Sequence, residues 1–483
     1  MQRVTTESKP AARLSWATLL GFGQMAVPLA TAGLPIAVFV TKFYASDIHL
    51  KLEIVGIILF LARISDFIVD PIIGYVSDRT TWGFGRRRTW VFLGAPIFVL
   101  GVYMLFLPPA LLMQQSETAR EIYLLIWISV FYLGWTMITI PYGAWGAELS
   151  DDYNERSRIT GVREIFTLIG LALAGSIPVL LGSGATEATA TVGARAAGNL
   201  WEVMAVLGIA ILVLTPIGAA ILYFSTPEPP VKEMEHIPVW RAVKAAATNW
   251  PFLRLFASII GIRMGSRGAE SLLLFYLVDA AGLAQAQASK SLLALLVSSI
   301  FFAPVWIWAG RVWTKHKALS IAMMGGILVF AVLPGLRGMG FWPNILAFAA
   351  LGAAFSAPFT LGQSMAADVV DLDSLRTRQP RAGLLISFFG IAIKGGDMLG
   401  VVLALTFAGY LGYVPSAPIK THHAIQVLSA VYVMFPIIFW IPAIALIWNF
   451  PITPAVQRRI RGLIEKRIRL EHSGKLRRST GKS

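Results

Sequence analysis

Three ionisable residues in the stretch Leu61 to Trp90, LARISDFIVDPIIGYVSDRTTWGFGRRRTW, have the types and the spacing to hold a cation. Arg63, Asp66 and Asp70 recur at i, i+3 and i+7, so on a helix their side chains share one stripe. Facing lipid, each charge would cost ~2.5–3.5 kcal/mol even on a lenient insertion scale, so the stripe is expected to face a bundle interior. One guanidinium neutralises one carboxylate, and the second carboxylate calls for a further cation. The alternative is a structural ion pair, Arg63 with Asp66, that only locks helices together; it leaves the charge of Asp70 unexplained.

The elements that position such a stripe are membrane helices. The chain has 483 residues, 56% of them hydrophobic and only 14% charged, and its mean hydropathy is +0.68, which excludes an ordinary soluble enzyme. Its apolar runs are ~20–28 residues long, enough for helices through a ~30 Å hydrocarbon layer and far longer than barrel strands need. There is no cysteine, and the six histidines show no ligand spacing, so thiolate chemistry and metal catalysis are not expected. The N-terminus, MQRVTTESKPAARLSW, lacks a signal-peptide pattern, so the first apolar run is expected to remain as a membrane helix.

Hydropathy and turn residues predict twelve helices near 16–44, 52–77, 89–109, 121–146, 159–183, 199–224, 251–280, 288–310, 318–336, 342–366, 382–413 and 424–449. The basic loops fall on one side, among them Arg86 to Arg88, Arg156 and Arg158, Lys315 and Lys317, and Arg376 to Arg381. The opposite loops hold only Lys51, Arg120, Arg195, Arg337 and Lys420. Both termini are therefore expected in the cytoplasm, and the net charge of +15 reports topology rather than nucleic-acid binding. The expected organisation is an N-terminal six-helix bundle over 1–224, a Pro-rich cytoplasmic linker over 225–250, a C-terminal six-helix bundle over 251–449 and a basic tail over 450–483 suited to anionic headgroups. Gly74 to Arg88 has a degenerate counterpart in Gly310 to Lys317, the trace of an internal repeat.

GYVSDRTTWGFGRRR at Gly74 to Arg88 resembles the loop signature of the major facilitator superfamily. With ARISDFIVDP before it, the resemblance narrows to the glycoside–pentoside–hexuronide:cation symporters. TIPYGAWGAELSDDYNERSRITGVRE at Thr139 to Glu164, SMAADVVDLDSLRTRQPRAG at Ser364 to Gly383 and FFGIAIKGGDMLG at Phe388 to Gly400 resemble further segments of that branch. The resemblance implies the twelve-helix, two-halved facilitator fold, and cation-coupled symport of a sugar-type solute, a glycoside or uronide, by alternating access, with no covalent bond made. It implies a monomer in a bacterial-type inner membrane. Its partners are the solute, a monovalent cation and membrane lipids, without nucleic acid and without a cofactor beyond the coupling H⁺ or Na⁺.

The resemblance also implies roles. Asp66 and Asp70 would hold the cation, Na⁺ included, assisted by Thr136, with Lys394 close by. Pro28, Thr139 and Gly143 match sugar-site positions, and Asp78, Arg79, Arg86, Arg87, Arg156, Asp368 and Arg376 fall in the latch segments that break and re-form between states. Two departures carry weight. Val69 stands where a sugar-transporting member has asparagine, so a hard cation loses a ligand oxygen and H⁺ is favoured. Pro28 and Thr139 stand where that member has aspartates, so the carboxylate clamp for vicinal hydroxyls is missing.

Two rivals remain at this level: a cation-coupled transporter of a lysolipid-like amphiphile, and a non-transporting membrane scaffold. Arg263, Arg267 and Glu270 form a net positive stripe that would meet an anionic solute or pair with carboxylates of the other half. Arg163 and Glu164 divide between an internal pair and solute contact. Asp397, one turn from Lys394, has the spacing to neutralise it. Trp306, Trp308, Trp313, Trp342 and Trp448 read as an interfacial belt.

Overall fold

The computed structural model describes residues 13–80, 84–150, 152–183, 194–228, 249–377, 382–460 and 462, 463 and 466. Among them are twelve long helices and no strand. The first, α1, spans Trp16–Asp47 and is broken near Gln24. It is followed by α2 (Leu52–Arg79), α3 (Arg86–Phe106), α4 (Glu117–Glu148), α5 (Tyr153–Ser183) and α6 (Ala194–Ser225). The second set is α7 (Trp250–Phe275), α8 (Gln285–Val312), α9 (Lys315–Val332), α10 (Phe341–Thr377), α11 (Ala382–Tyr410) and α12 (His422–Trp448). This is an all-α architecture of twelve long helices, as expected from the sequence. Residues 229–248, most of the expected linker, and most of the basic tail lie outside the described residues.

Ten of these helices are long and apolar enough to cross a membrane by length and composition, and the remaining two, α2 and α7, are those that carry the ionisable stripes. Their charges point inward while apolar side chains point out. Asp66 is buried on α2, whereas its neighbour Ile68 is 64% exposed. Phe92, Phe301 and Leu346 are exposed too, an inversion of the soluble pattern that suits hydrocarbon surroundings.

Caps set several starts. Ser15, Ser116 and Thr314 each accept from a backbone N–H three residues on, and Asn249 does the same for Phe252 with Pro251 in the first turn. Without a hydrophobic drive between helices in lipid, close approach needs small residues. A Cβ on Gly101 of α3 would lie 2.7 Å from the Phe131 Cα of α4, and one on Gly396 of α11 would lie 2.8 Å from the Ile260 carbonyl oxygen of α7.

Two compact units emerge. One comprises Met1–Glu233 with Leu283–Leu293 and Leu405–Ala424; the other comprises Met234–Gly282, Ala294–Ala404 and Ile425–Ser483. Several helices run further than hydropathy indicates. The tenth, expected to stop near 366, continues to Thr377. Hydropathy registers only the hydrocarbon-spanning part, whereas the chain meets no helix breaker before Pro380, and its added turns find polar partners. Asp368 binds Lys315, Asp371 accepts from Gln457 at 2.7 Å and Asp373 accepts from Asn249 at 3.2 Å.

Candidate functional site

The charged stripe of α2 meets α4 in the first unit. Arg63 Nη1 donates to Asp66 Oδ2 at 3.2 Å, and the same guanidinium stacks 4.2 Å from the centre of the Tyr132 ring. One turn further along both helices, Thr136 Oγ1 donates to Asp70 Oδ1 at 3.0 Å. Asp66 and Thr136 are buried, and Asp70 is half-buried. The cluster brings two carboxylates, a hydroxyl and a built-in guanidinium together, the hard oxygen chemistry that suits H⁺ or an alkali cation. Val69 adds no oxygen to it.

Tyr132, Thr136, Thr139 and Gly143 follow at helical spacing, so the face of α4 that meets α2 continues towards its C-terminal end. There it opens on a cavity of about 350 Å³. Ala26, Leu29, Ala30 and Gly33 of α1, Trp135, Thr139, Tyr142 and Gly143 of α4, and Arg163, Glu164, Thr167 and Leu171 of α5 line it. Of the expected solute positions, Thr139, Gly143 and Arg163 are on its wall. Pro28 is buried on α1 and is not part of the lining. The cavity is largely apolar. In its wall Arg163 pairs with Glu164 at 2.9 Å, and the Tyr142 hydroxyl donates to the Phe22 carbonyl at 2.8 Å.

The positive stripe of α7 is satisfied within its own unit. Arg263 forms a bidentate pair with Asp397 of α11 at 2.7 and 2.8 Å, and Arg267 pairs with Glu270 at 2.5 Å and with Asp397 at 3.5 Å. Asp397 is thus engaged by two arginines of α7, a partnership that the i, i+3 spacing to Lys394 did not reveal. Lys394 lies on α11 in the second unit.

The loop motif of Gly74 to Arg88 forms a partly buried ionic knot. Arg87, 1% exposed, reaches Asp78 and Glu148, each at 2.6 Å, and Ser77 at 3.0 Å. Arg86 binds the other oxygen of Glu148 at 2.6 Å. Glu148 was not singled out from the sequence, since its partners lie 61 and 62 residues away and no local pattern marks it. Arg79 stacks on Tyr75 at 3.6 Å instead, and the exposed Arg156 donates to the Ser150 carbonyl at 2.8 Å. The side chain of Arg376 lies outside the described residues. The second unit repeats the arrangement in reduced form: Lys315 at the start of α9 binds Asp368 of α10 at 2.5 Å, as Arg87 at the start of α3 binds Glu148 of α4. The faint sequence repeat therefore corresponds to a repeated ion pair.

Trp306 departs from the belt reading, because its indole donates to the Ala353 carbonyl of α10 at 2.7 Å. Trp308, Trp313 and Trp342 are exposed.

Residues 19–454 match the family described as MFS/sugar transport protein. Over 95% of this chain and 89% of its own length, the sodium-dependent lysophosphatidylcholine symporter 1 of Mus musculus is 24% identical. The glucuronide carrier protein homolog of Escherichia coli K12 is 23% identical over 95% of this chain and 97% of its own length. In fold, the chain resembles the crystal structure of a bacterial homolog of the human lysosomal transporter Spinster, with a TM-score of 0.62 at 14% identity, covering 93% of this chain and 98% of the other.

Proposed function

The chain belongs to the MFS/sugar transport protein family, and on that premise we propose that it is a symporter coupling H⁺ to the uptake of a sugar-type solute, a glycoside or uronide, by alternating access. One observation carries the reading. Thr136 donates to Asp70, and Thr139, three residues on along the same face of α4, lines the cavity. Cation and solute would thus act on one stretch of one helix. Binding of both shifts the population between states only to the extent that each binds one state better, and a shared helix face supplies that differential contact.

In this reading Arg63 holds the charge of Asp66, and Asp70 with Thr136 takes the travelling cation. H⁺ is preferred because Val69 supplies no oxygen, and a carboxylate that takes up a proton needs no further ligand. Arg163, set in the cavity wall, would receive the carboxylate of a uronide. The protein works in an inner membrane with both termini cytoplasmic, and the latch of Arg86, Arg87, Asp78 and Glu148, with Lys315 and Asp368 in the other unit, opens and closes between states.

A second reading is favoured by the cavity itself. Leu29, Ala30, Trp135 and Leu171 make most of its wall apolar, and no aspartate is among the described residues that line it, which suits an amphiphile with an anionic or zwitterionic head; a mammalian relative is named for lysophosphatidylcholine. Proteoliposomes separate the possibilities. Uptake of a uronide that follows an imposed pH gradient and ignores Na⁺ supports the proposal. Stimulation by Na⁺ at fixed pH overturns the choice of ion, and stabilisation of the purified protein by lysolipids alone overturns the choice of solute.

A further inference from the structure

The latch has a third side that the family motif does not contain. Helix α3 begins at Arg86 with Gly85 as its N-cap, and glycine has no side chain to satisfy the N–H groups of the first turn. Glu228, three residues beyond the end of α6, supplies the missing acceptor. Its Oε1 accepts from the Arg87 backbone N–H at 2.6 Å and its Oε2 from that of Arg88 at 3.3 Å, the two donors that an ordinary capping side chain would take. A carboxylate at this point also complements the positive end of the helix dipole. Gly85 accommodates it twice over: its φ is +104°, and a Cβ there would lie 2.8 Å from Glu228 Oε2.

The chain around Glu228 is tied at both neighbours. Arg88 Nη2 donates to the Thr226 carbonyl at 2.6 Å, and Trp145 Nε1, three residues before Glu148 on α4, donates to the Pro227 carbonyl at 2.9 Å. The three-residue strap therefore holds both sides of the latch, the turn of α3 that carries Arg86 and Arg87 and the end of α4 that carries Glu148.

We propose that Glu228 is a positioning residue of the cytoplasmic latch, holding the first turn of α3 by its backbone so that Arg86 and Arg87 stay in register with Glu148. The latch then opens only when the segment leaving α6 lets go as well. Loads or ligands acting on that segment reach the latch directly. The inference rests on reading the Arg87–Glu148 pair as a latch that opens.

The absence of native cysteine allows a direct test without knowing the solute. Ser77 is fully buried beneath Arg87, so Ser77→Cys is a single thiol whose reaction with N-ethylmaleimide reports opening, and Thr215→Cys, buried on α6, reports general loosening. Glu148→Gln should raise labelling at position 77 at least tenfold and Glu228→Ala at least fivefold, with position 215 unchanged. Glu228→Gln, which keeps an acceptor oxygen, should fall between Glu228→Ala and the parent, and it carries the test if Glu228→Ala does not accumulate. The double variant Glu148→Gln/Glu228→Ala should label no faster than Glu148→Gln alone. Parent-like labelling in both Glu228 variants, equal increases at 77 and 215, or multiplied effects in the double variant overturn the strap while leaving the latch intact. No increase in Glu148→Gln overturns the latch and the strap together.

Discussion

The hydroxyl of Thr136 on α4 donates to the carboxylate of Asp70 on α2 across 3.0 Å, and one turn away Tyr132 of α4 stacks under Arg63 of α2. Two residues of each helix therefore meet in a ladder, the Asp70 rung closed by the Thr136 hydroxyl and the charged rung by Arg63, which pairs with Asp66 on its own helix.

A hydrogen bond to an ionised carboxylate favours the unprotonated form by ~1.5–3 kcal/mol, so Thr136→Val should lower the proton concentration for half-maximal uptake about tenfold or more, while Thr136→Ser stays close to the parent. Asp70→Asn should abolish uphill accumulation and keep downhill exchange, because the amide matches the carboxylate in shape but takes up no proton. Uptake into proteoliposomes with and without a gradient reads both. Uphill accumulation by Asp70→Asn removes the carboxylate from the coupling.

The charged rung should behave differently. Breaking a buried pair costs ~3–5 kcal/mol through the charge left behind, so Arg63→Gln and Asp66→Asn should each lower the melting temperature and the yield of folded protein. Changing both together should recover much of that loss, because no lone charge remains. Thermal denaturation in detergent measures it, and two independent, additive losses would contradict the pairing.

In the loop motif, Glu148→Gln leaves Arg86 and Arg87 facing a neutral amide in a partly buried knot. The expected result is a maximal uptake rate changed several-fold with the half-saturating cation concentration unaltered, since the knot touches neither Asp70 nor the cavity lining. Asp368→Asn, its counterpart beside Lys315, should give the same split. A shift in half-saturation alone, measured in initial-rate uptake, would place these residues in binding rather than in the state change.

Gly143 offers a steric test. No heavy atom lies within 4 Å of a Cβ built at this position, so Gly143→Trp can project into the cavity without displacing a neighbouring helix. Solute uptake should fall below about a tenth of the parent value, with the melting temperature within ~2–4 °C. Full uptake with a filled cavity would exclude this cavity from the solute path.

Much of this was legible in the chain. Hydropathy and the placement of lysine and arginine determined twelve spans and an expected orientation, because in hydrocarbon each backbone group must be satisfied within its own helix and local sequence suffices to mark a span. The stripe of Arg63, Asp66 and Asp70 was readable too, since i, i+3 and i+7 form a face whatever the neighbours are. What only the tertiary structure decided is where each charge goes. Asp397, one turn from Lys394, takes its bidentate partner from Arg263 on another helix. Glu148 and Glu228 became visible only once the starts and ends of α3, α4 and α6 met. Coulomb attraction acts through space and leaves no period in the sequence, so the ion pairs had to await the packing that brings distant helices within reach.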